Sequence, residues 1–220
     1  MSKIYYKKSN FNKLNWNNKK DLQQLEVSLK NDNVSIVSTD TVYGFLANIT
    51  EKSFKKIEQL KNKKRQSPFI VLISSKQKLE YFVDLKTISP NLNKLIETCW
   101  PGPLTIIFKA KKILPSFLVS RDNTIALRAP KHNGLIYLLK NFDGLFSTSA
   151  NRAVMPAPTT FEEIEKDLLQ KVDLFVDTPE EKKEKLPSTI IDCSKLSKIK
   201  IVRTGAYSKK ELEKIYGSKI

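Results

Sequence analysis

The chain predicts an α/β fold, a twisted open mixed sheet flanked by helices. Three observations carry that expectation: helical and strand-like apolar patterns interleave without strict alternation, several strand-like runs end in small polar turns, and no repeat of fixed period appears. With 220 residues, 40% of them hydrophobic, and no linker dividing them, residues 1–220 are expected to form one domain with a sizeable core.

Leu22, Leu25 and Leu29 recur at helical spacing over residues 19–31, and after Asn31, Asp32 and Asn33 the run 34–37 reads as a strand. Residues 51–60 put Phe54, Ile57 and Leu60 on one helical face, and the apolar run 69–73 reads as a buried strand. A helix over 91–100 is stopped by Pro101-Gly102-Pro103, because proline lacks the amide proton a helix needs. Strands are expected at 104–108 and 124–127, a short helix at 135–140, and a strand at 145–148 that runs into Ser147-Thr148-Ser149-Ala150-Asn151. Thr160 with Glu163, and Ser208 with Glu211, have capping-box spacing and predict two helix starts. Between them lie strands at 174–176, 189–191 and 200–202, with a solvated charged loop at 180–185.

Composition excludes several classes of function. The hydrophobic content rules out a wholly disordered chain, and the longest purely aliphatic or aromatic run, 69–73, falls far short of the roughly 20 residues that span a bilayer. Residues 1–20 lack the apolar core of a secretory signal, so a soluble, cytoplasmic protein is expected. Cys99 and Cys193 lie outside any CxxC spacing, which predicts reduced, half-buried thiols and no metal site. A single histidine, His132, removes most His-based catalysis and reads as a polar turn residue. The six glycines form neither GxxxxGK nor GxGxxG, so any nucleotide must be held by another architecture. Basic residues number 39 against 23 acidic, a net +16, yet only Arg65, Arg121, Arg128, Arg152 and Arg203 are arginines. The excess is dispersed lysine, which suits solubility as well as weak association with RNA phosphates.

Ligand sites in open α/β sheets lie at strand ends, where loops present amides and short side chains. Five such places look alike here: residues 38–44 (Ser-Thr-Asp-Thr-Val-Tyr-Gly), Arg128-Ala129-Pro130, the 147–151 turn, Pro187-Ser188-Thr189, and Arg203-Thr204-Gly205. Hydroxyls, amides and two arginines so placed suit a zwitterion and a polyphosphate, since arginine offers a planar fork to carboxylate or phosphate.

These motifs, with Trp100-Pro101-Gly102-Pro103-Leu104-Thr105, resemble the TsaC/YrdC family over about residues 34–205, in the short single-domain form. The resemblance implies a YrdC-like sheet with a basic concave cavity. It also implies a threonylcarbamoyl-AMP synthase activity, which joins L-threonine, bicarbonate and ATP, as its magnesium complex, into threonylcarbamoyl-adenylate and pyrophosphate. The product serves t6A modification of tRNA through downstream transferase proteins. By the same resemblance Thr41, Arg128, Ser149 and Ser188 are the threonine-binding positions. Lys61, Lys63, Ser67, Thr124, Asn151, Thr159 and Arg203 are the nucleotide-binding ones.

The chain departs from the family pattern in places. The family's Lys-x-Arg becomes Lys61-Asn62-Lys63 if no gap is allowed, whereas a two-residue shift would bring Arg65 into the arginine's place. Leu72 stands where many relatives carry a histidine near threonine, and Arg152-Ala153-Val154-Met155 replaces a stretch that usually holds Ser-Gly. Two other readings stay open: a YrdC-like RNA-binding module without catalysis, and adenylation of a different carbamate.

Overall fold

A computed structural model describes residues 12–62, 69–178, 186–195 and 199–220. In chain order its elements begin with β1 (Asn12–Asn15), α1 (Lys19–Lys30), β2 (Ser35–Val37), β3 (Gly44–Asn48), α2 (Glu51–Leu60) and β4 (Ile70–Leu72). The middle of the chain supplies α3 (Leu79–Phe82), α4 (Pro90–Cys99), β5 (Leu104–Lys109), β6 (Thr124–Arg128), α5 (Asn133–Leu139) and β7 (Leu145–Ser149). The remainder is α6 (Lys166–Gln170), β8 (Leu174–Asp177), β9 (Thr189–Asp192), β10 (Lys200–Arg203) and α7 (Lys209–Tyr216).

The strands form one mixed sheet in the order β1-β8-β2-β3-β7-β4-β6-β5-β9-β10. Pairs β1/β8, β2/β8, β4/β6 and β5/β9 are parallel; β2/β3, β3/β7, β4/β7, β5/β6 and β9/β10 are antiparallel. Parallel neighbours need covered crossovers, so both faces carry helices and two cores result. On one face Ile57, Leu95, Ile96, Leu168 and Leu212 from α2, α4, α6 and α7 pack on Ile36, Phe45, Val71, Ile106 and Ile125. On the other, Leu25 and Leu29 of α1 and Leu135, Leu138 and Leu139 of α5 pack on Val37, Leu46, Leu72 and Val176. Each such fully buried side chain contributes roughly 1.5–3 kcal/mol.

Caps mark the helix starts. Asn18 accepts from Lys20 N and Asp21 N, Thr50 from Ser53 N, and Ser89 from Leu92 N, with Pro90 at the first helical position. The Ser208–Glu211 capping box is formed in full. The one expected at Thr160 starts no helix: Glu163 accepts from the Thr159 and Thr160 amides, but the chain keeps turning and α6 begins only at Lys166. Two strands that sequence patterning did not indicate, β1 and β3, complete the sheet. Cys99, expected half-buried, is 1% exposed inside the main core. The charged loop expected at 180–185 lies outside the described residues.

Candidate functional site

The pleat of the sheet sorts the site from the core. Ile125 and Leu127 of β6 point into the main core, so Thr124, Ala126 and Arg128 point to the opposite face. Helices α1 and α5 cover that face over β1, β8, β2 and β3. Beyond them it is open, and a cavity of about 350 Å³ lies over β7, β6, β5, β9 and β10. Thr41, Thr124, Arg128, Ser149, Ser188 and Arg203 all line it, together with Ser120, and the two arginines are its charged lining residues. The structure thus brings together the four threonine positions and two of the nucleotide positions.

Arg128, at the end of β6, is buried, and its Nη1 donates to Asp40 Oδ1 at 2.8 Å. The other Asp40 oxygen accepts the Lys131 amide at 2.9 Å. Among the described residues Arg128 Nε and Nη2 have no acceptor, so a buried cation presents unused N–H groups to the cavity. Such donors suit a carboxylate.

The nearby hydroxyls are oriented the other way. Thr39 Oγ1 donates to Val42 O at 2.8 Å, so the 3.0 Å contact between Thr39 Oγ1 and Thr41 Oγ1 uses the Thr41 proton. Ser149 Oγ donates to Asn151 Oδ1 at 2.6 Å. Thr41 and Ser149 therefore keep lone pairs for the cavity, as acceptors for an ammonium or amine. Donors and acceptors of opposite kinds thus stand side by side in one cavity.

Arg203 and Ser188 are joined across β10 and the entry to β9. Arg203 Nη2 donates to Ser188 Oγ at 3.0 Å, and Ser188 Oγ lies 2.8 Å from Thr105 Oγ1. Gly205 permits this closeness, because a Cβ there would stand 2.1 Å from Pro187 O. The buried Thr189 hydroxyl secures the same crossing by accepting from Gly205 N and Tyr207 N.

The remaining nucleotide positions lie at the margins. Lys61 is buried behind the 149–151 turn, its ammonium donating to Ser149 O, Asn151 O and Asn151 Oδ1 at 2.8, 2.8 and 3.1 Å. It therefore builds the turn that carries Ser149. Asn151 in turn donates through Nδ2 to Met155 O. Thr159 lines a smaller cleft with Tyr43 and Asp177, which shares Thr39 and Val42 with the main cavity. Lys63 and Ser67 lie outside the described residues, as does Arg65. Leu72 is fully buried beside Arg128 in register, and packs in the second core.

Sequence reasoning assigned no role to Asp40 or Ser120. Asp40 could have been noticed as the carboxylate inside Thr39-Asp40-Thr41; Ser120, hydrogen-bonded to Thr124 at 2.7 Å, carries no sequence signal. His132 is an N-cap, its Nδ1 accepting the Leu135 amide at 3.2 Å, in keeping with a turn role. Burial, with Asp192 nearby, pushes the Cys193 thiol up to about 12, so it is no nucleophile at neutral pH. Among the described residues no cluster of three His, Cys, Asp or Glu is placed to hold a metal ion, and no helix is long and apolar enough to cross a membrane.

Fold and cavity define a class: an open-sheet α/β protein with a strand-end pocket lined by hydroxyls and two arginines. Residues 27–205 match the family model Sua5/YciO/YrdC, described as "Telomere recombination", and the chain belongs to that family. A relative from Methanocaldococcus jannaschii, provisionally named threonylcarbamoyl-AMP synthase, is 35% identical over 174 residues, covering 79% of this chain and 80% of its own. The threonylcarbamoyl-AMP synthase of Pyrococcus abyssi is 29% identical over 181 residues, which are 81% of this chain and 52% of that protein. Among solved structures, P. abyssi Sua5 complexed with L-threonine superposes with a TM-score of 0.84 and 25% identity, over 96% of this chain and 62% of that one. Escherichia coli YciO superposes with a TM-score of 0.77 over 93% of this chain and all of that one; at 21% identity it speaks for the fold. This chain therefore spans about half to two thirds of the P. abyssi protein's length.

Proposed function

We propose that the chain is an L-threonylcarbamoyladenylate synthase, acting as a single YrdC-like domain in the cytoplasm. The observation that carries this reading is the buried Arg128, with unused N–H groups in a cavity whose Thr41 and Ser149 hydroxyls face it as acceptors. Relatives named for this activity, and a threonine-bound member of similar fold, support it.

The threonine amine first joins bicarbonate with loss of water, giving a carbamate. A carbamate oxygen then bonds to the α-phosphorus of ATP as the bond to the β-phosphate oxygen breaks and pyrophosphate leaves. Such chemistry asks the protein for alignment and charge neutralisation more than for a nucleophile. Arg128 fixes the carboxylate, Thr41, Ser149 and Ser188 the amine and hydroxyl, and Arg203 a phosphate. Thr124, Asn151 and Thr159 border the nucleotide, Lys61 supports Asn151 through the 149–151 turn, and Lys63 and Ser67 complete the set. Magnesium arrives on the triphosphate as part of the substrate. The adenylate passes to t6A transferase proteins, and the +16 charge supports only weak, salt-sensitive RNA contact.

The test is pyrophosphate release from ATP with threonine and bicarbonate omitted in turn. Both should be required, and serine should be poorer by roughly 10- to 200-fold, since one methyl in a small pocket is worth about 1–3 kcal/mol. Release that proceeds without an amino acid would mark a plain ATPase. Tight, salt-resistant RNA binding without adenylate would favour a binding module.

A further inference from the structure

Asp40 is the carboxylate paired with Arg128, and the reaction as described gives it nothing to do. Its side chain is 9% exposed and faces Arg128, 4% exposed, with Oδ1 2.8 Å from Nη1. Its Oδ2 holds the Lys131 amide at 2.9 Å. One carboxylate thus ties the loop after β2 to the turn after β6, between two threonines that both line the cavity. The geometry has two consequences. The guanidinium plane is fixed from its Nη1 end, which leaves the Nε and Nη2 edge whole for a bidentate partner. The arginine's charge is also cancelled at short range, in a place where water screens little.

The second consequence bears on selection. ATP and pyrophosphate carry several negative charges and reach the same cavity, so an uncompensated buried arginine would draw phosphate into the amino-acid pocket. A guanidinium already paired with a carboxylate has little net field for a polyanion. It still offers directed N–H groups to a ligand that brings its own ammonium. Resting on the threonine reading of this cavity, we infer that Asp40 is its specificity residue: it orients Arg128 and neutralises it, so that the pocket takes a zwitterion and rejects phosphate.

Calorimetry with threonine and, separately, with inorganic pyrophosphate on the full chain tests this. Asp40→Asn keeps the shape and removes the charge. Threonine should bind about tenfold or more weakly, and pyrophosphate about tenfold more tightly and in competition with threonine, because like-charge exclusion has been lost. Asp40→Glu keeps the charge but displaces it by one methylene. It should weaken threonine several-fold, roughly 3- to 10-fold, while pyrophosphate binds as in the wild type. This variant carries the test if Asp40→Asn, with its unbalanced buried arginine, does not fold. Pyrophosphate binding unchanged in Asp40→Asn, or threonine binding unchanged in Asp40→Glu, would overturn the inference and leave the threonine reading intact. A wild-type chain that binds no threonine would bring down both.

Discussion

Arg203 donates to the Ser188 carbonyl from Nε at 3.1 Å and from Nη2 at 2.8 Å, and to the Ser188 hydroxyl from Nη2 at 3.0 Å. A residue proposed for phosphate is therefore bonded to one proposed for threonine, and on that reading a ligand on either side would act on the same hydroxyl. Arg203→Ala and Ser188→Ala should be non-additive, with a coupling of about 0.5–3 kcal/mol in kcat/KM for ATP across the four proteins of the cycle. Effects that simply add would separate the two subsites.

Arg128→Lys should impair threonine use far more than ATP binding. An ammonium still pairs with Asp40 but cannot offer a second parallel hydrogen bond to a carboxylate. Hydrogen bonds to charged groups are worth roughly 1.5–3 kcal/mol, so threonine affinity should fall by about 10- to 100-fold. Separate titrations with each ligand check this, and loss of ATP binding with threonine retained would reverse the roles.

Val154 holds φ at +78° while 95% exposed, a conformation that a β-branched residue adopts only under strain. Val154→Gly should stabilise the chain by about 1 kcal/mol, the relief of strain outweighing the extra freedom of the unfolded glycine. A rise in the urea midpoint at unchanged slope is the expected signature; a fall would mean that Val154 makes contacts worth more than its strain.

Glu163 accepts from Thr159 N, Thr159 Oγ1 and Thr160 N, and these bonds hold its carboxyl below the usual glutamate range. A lowered folded-state value means stability that is present above the ordinary glutamate pKa of about 4.3 and lost as pH falls through the folded value. Glu163→Gln should therefore be less stable than the wild type at pH 7, with the difference shrinking at pH 3. An equal gap at both would show that charge plays no part. Thr159 borders the small cleft, so the same titration should loosen that wall.

Apolar spacing made most of this fold legible, since α1, α4 and α5 each bury a stripe that includes leucine or isoleucine at helical intervals and α2 buries Ile57 with Phe54 and Leu60 packed beside it, while the capping box marked α7. It failed for β3, where residues 44–47 are buried on both faces and leave no alternation to see. It failed for β1, whose one apolar residue is Leu14, in a strand that borrows its stability from β8. Thr160 and Glu163 have the letters of a cap, and the hydrogen bonds form, but Phe161 turns inward to meet Phe175 at 5.0 Å instead of starting a helix. The pocket hydroxyls were visible as strand-end turns. The partnership of Asp40 was not, because Arg128 lies 88 residues away and only the register of the sheet brings it near.

The placement of β8 between β1 and β2 also governs how the chain can be made. The Ser38 amide that opens the 38–44 loop is bonded to Val176 O, and 139 residues separate Val34 from Asp173, which accepts its amide. At about 5–20 residues per second a ribosome takes roughly 7–28 s to cover that distance. During that interval β2 and β3 can pair with each other, yet the outer edge of β2 stays unpaired. Pairing across so long a stretch is slow, and an open apolar edge invites other strands. The pocket is thus assembled late in synthesis, and the nascent β2 edge is the place where a holding chaperone has most to protect.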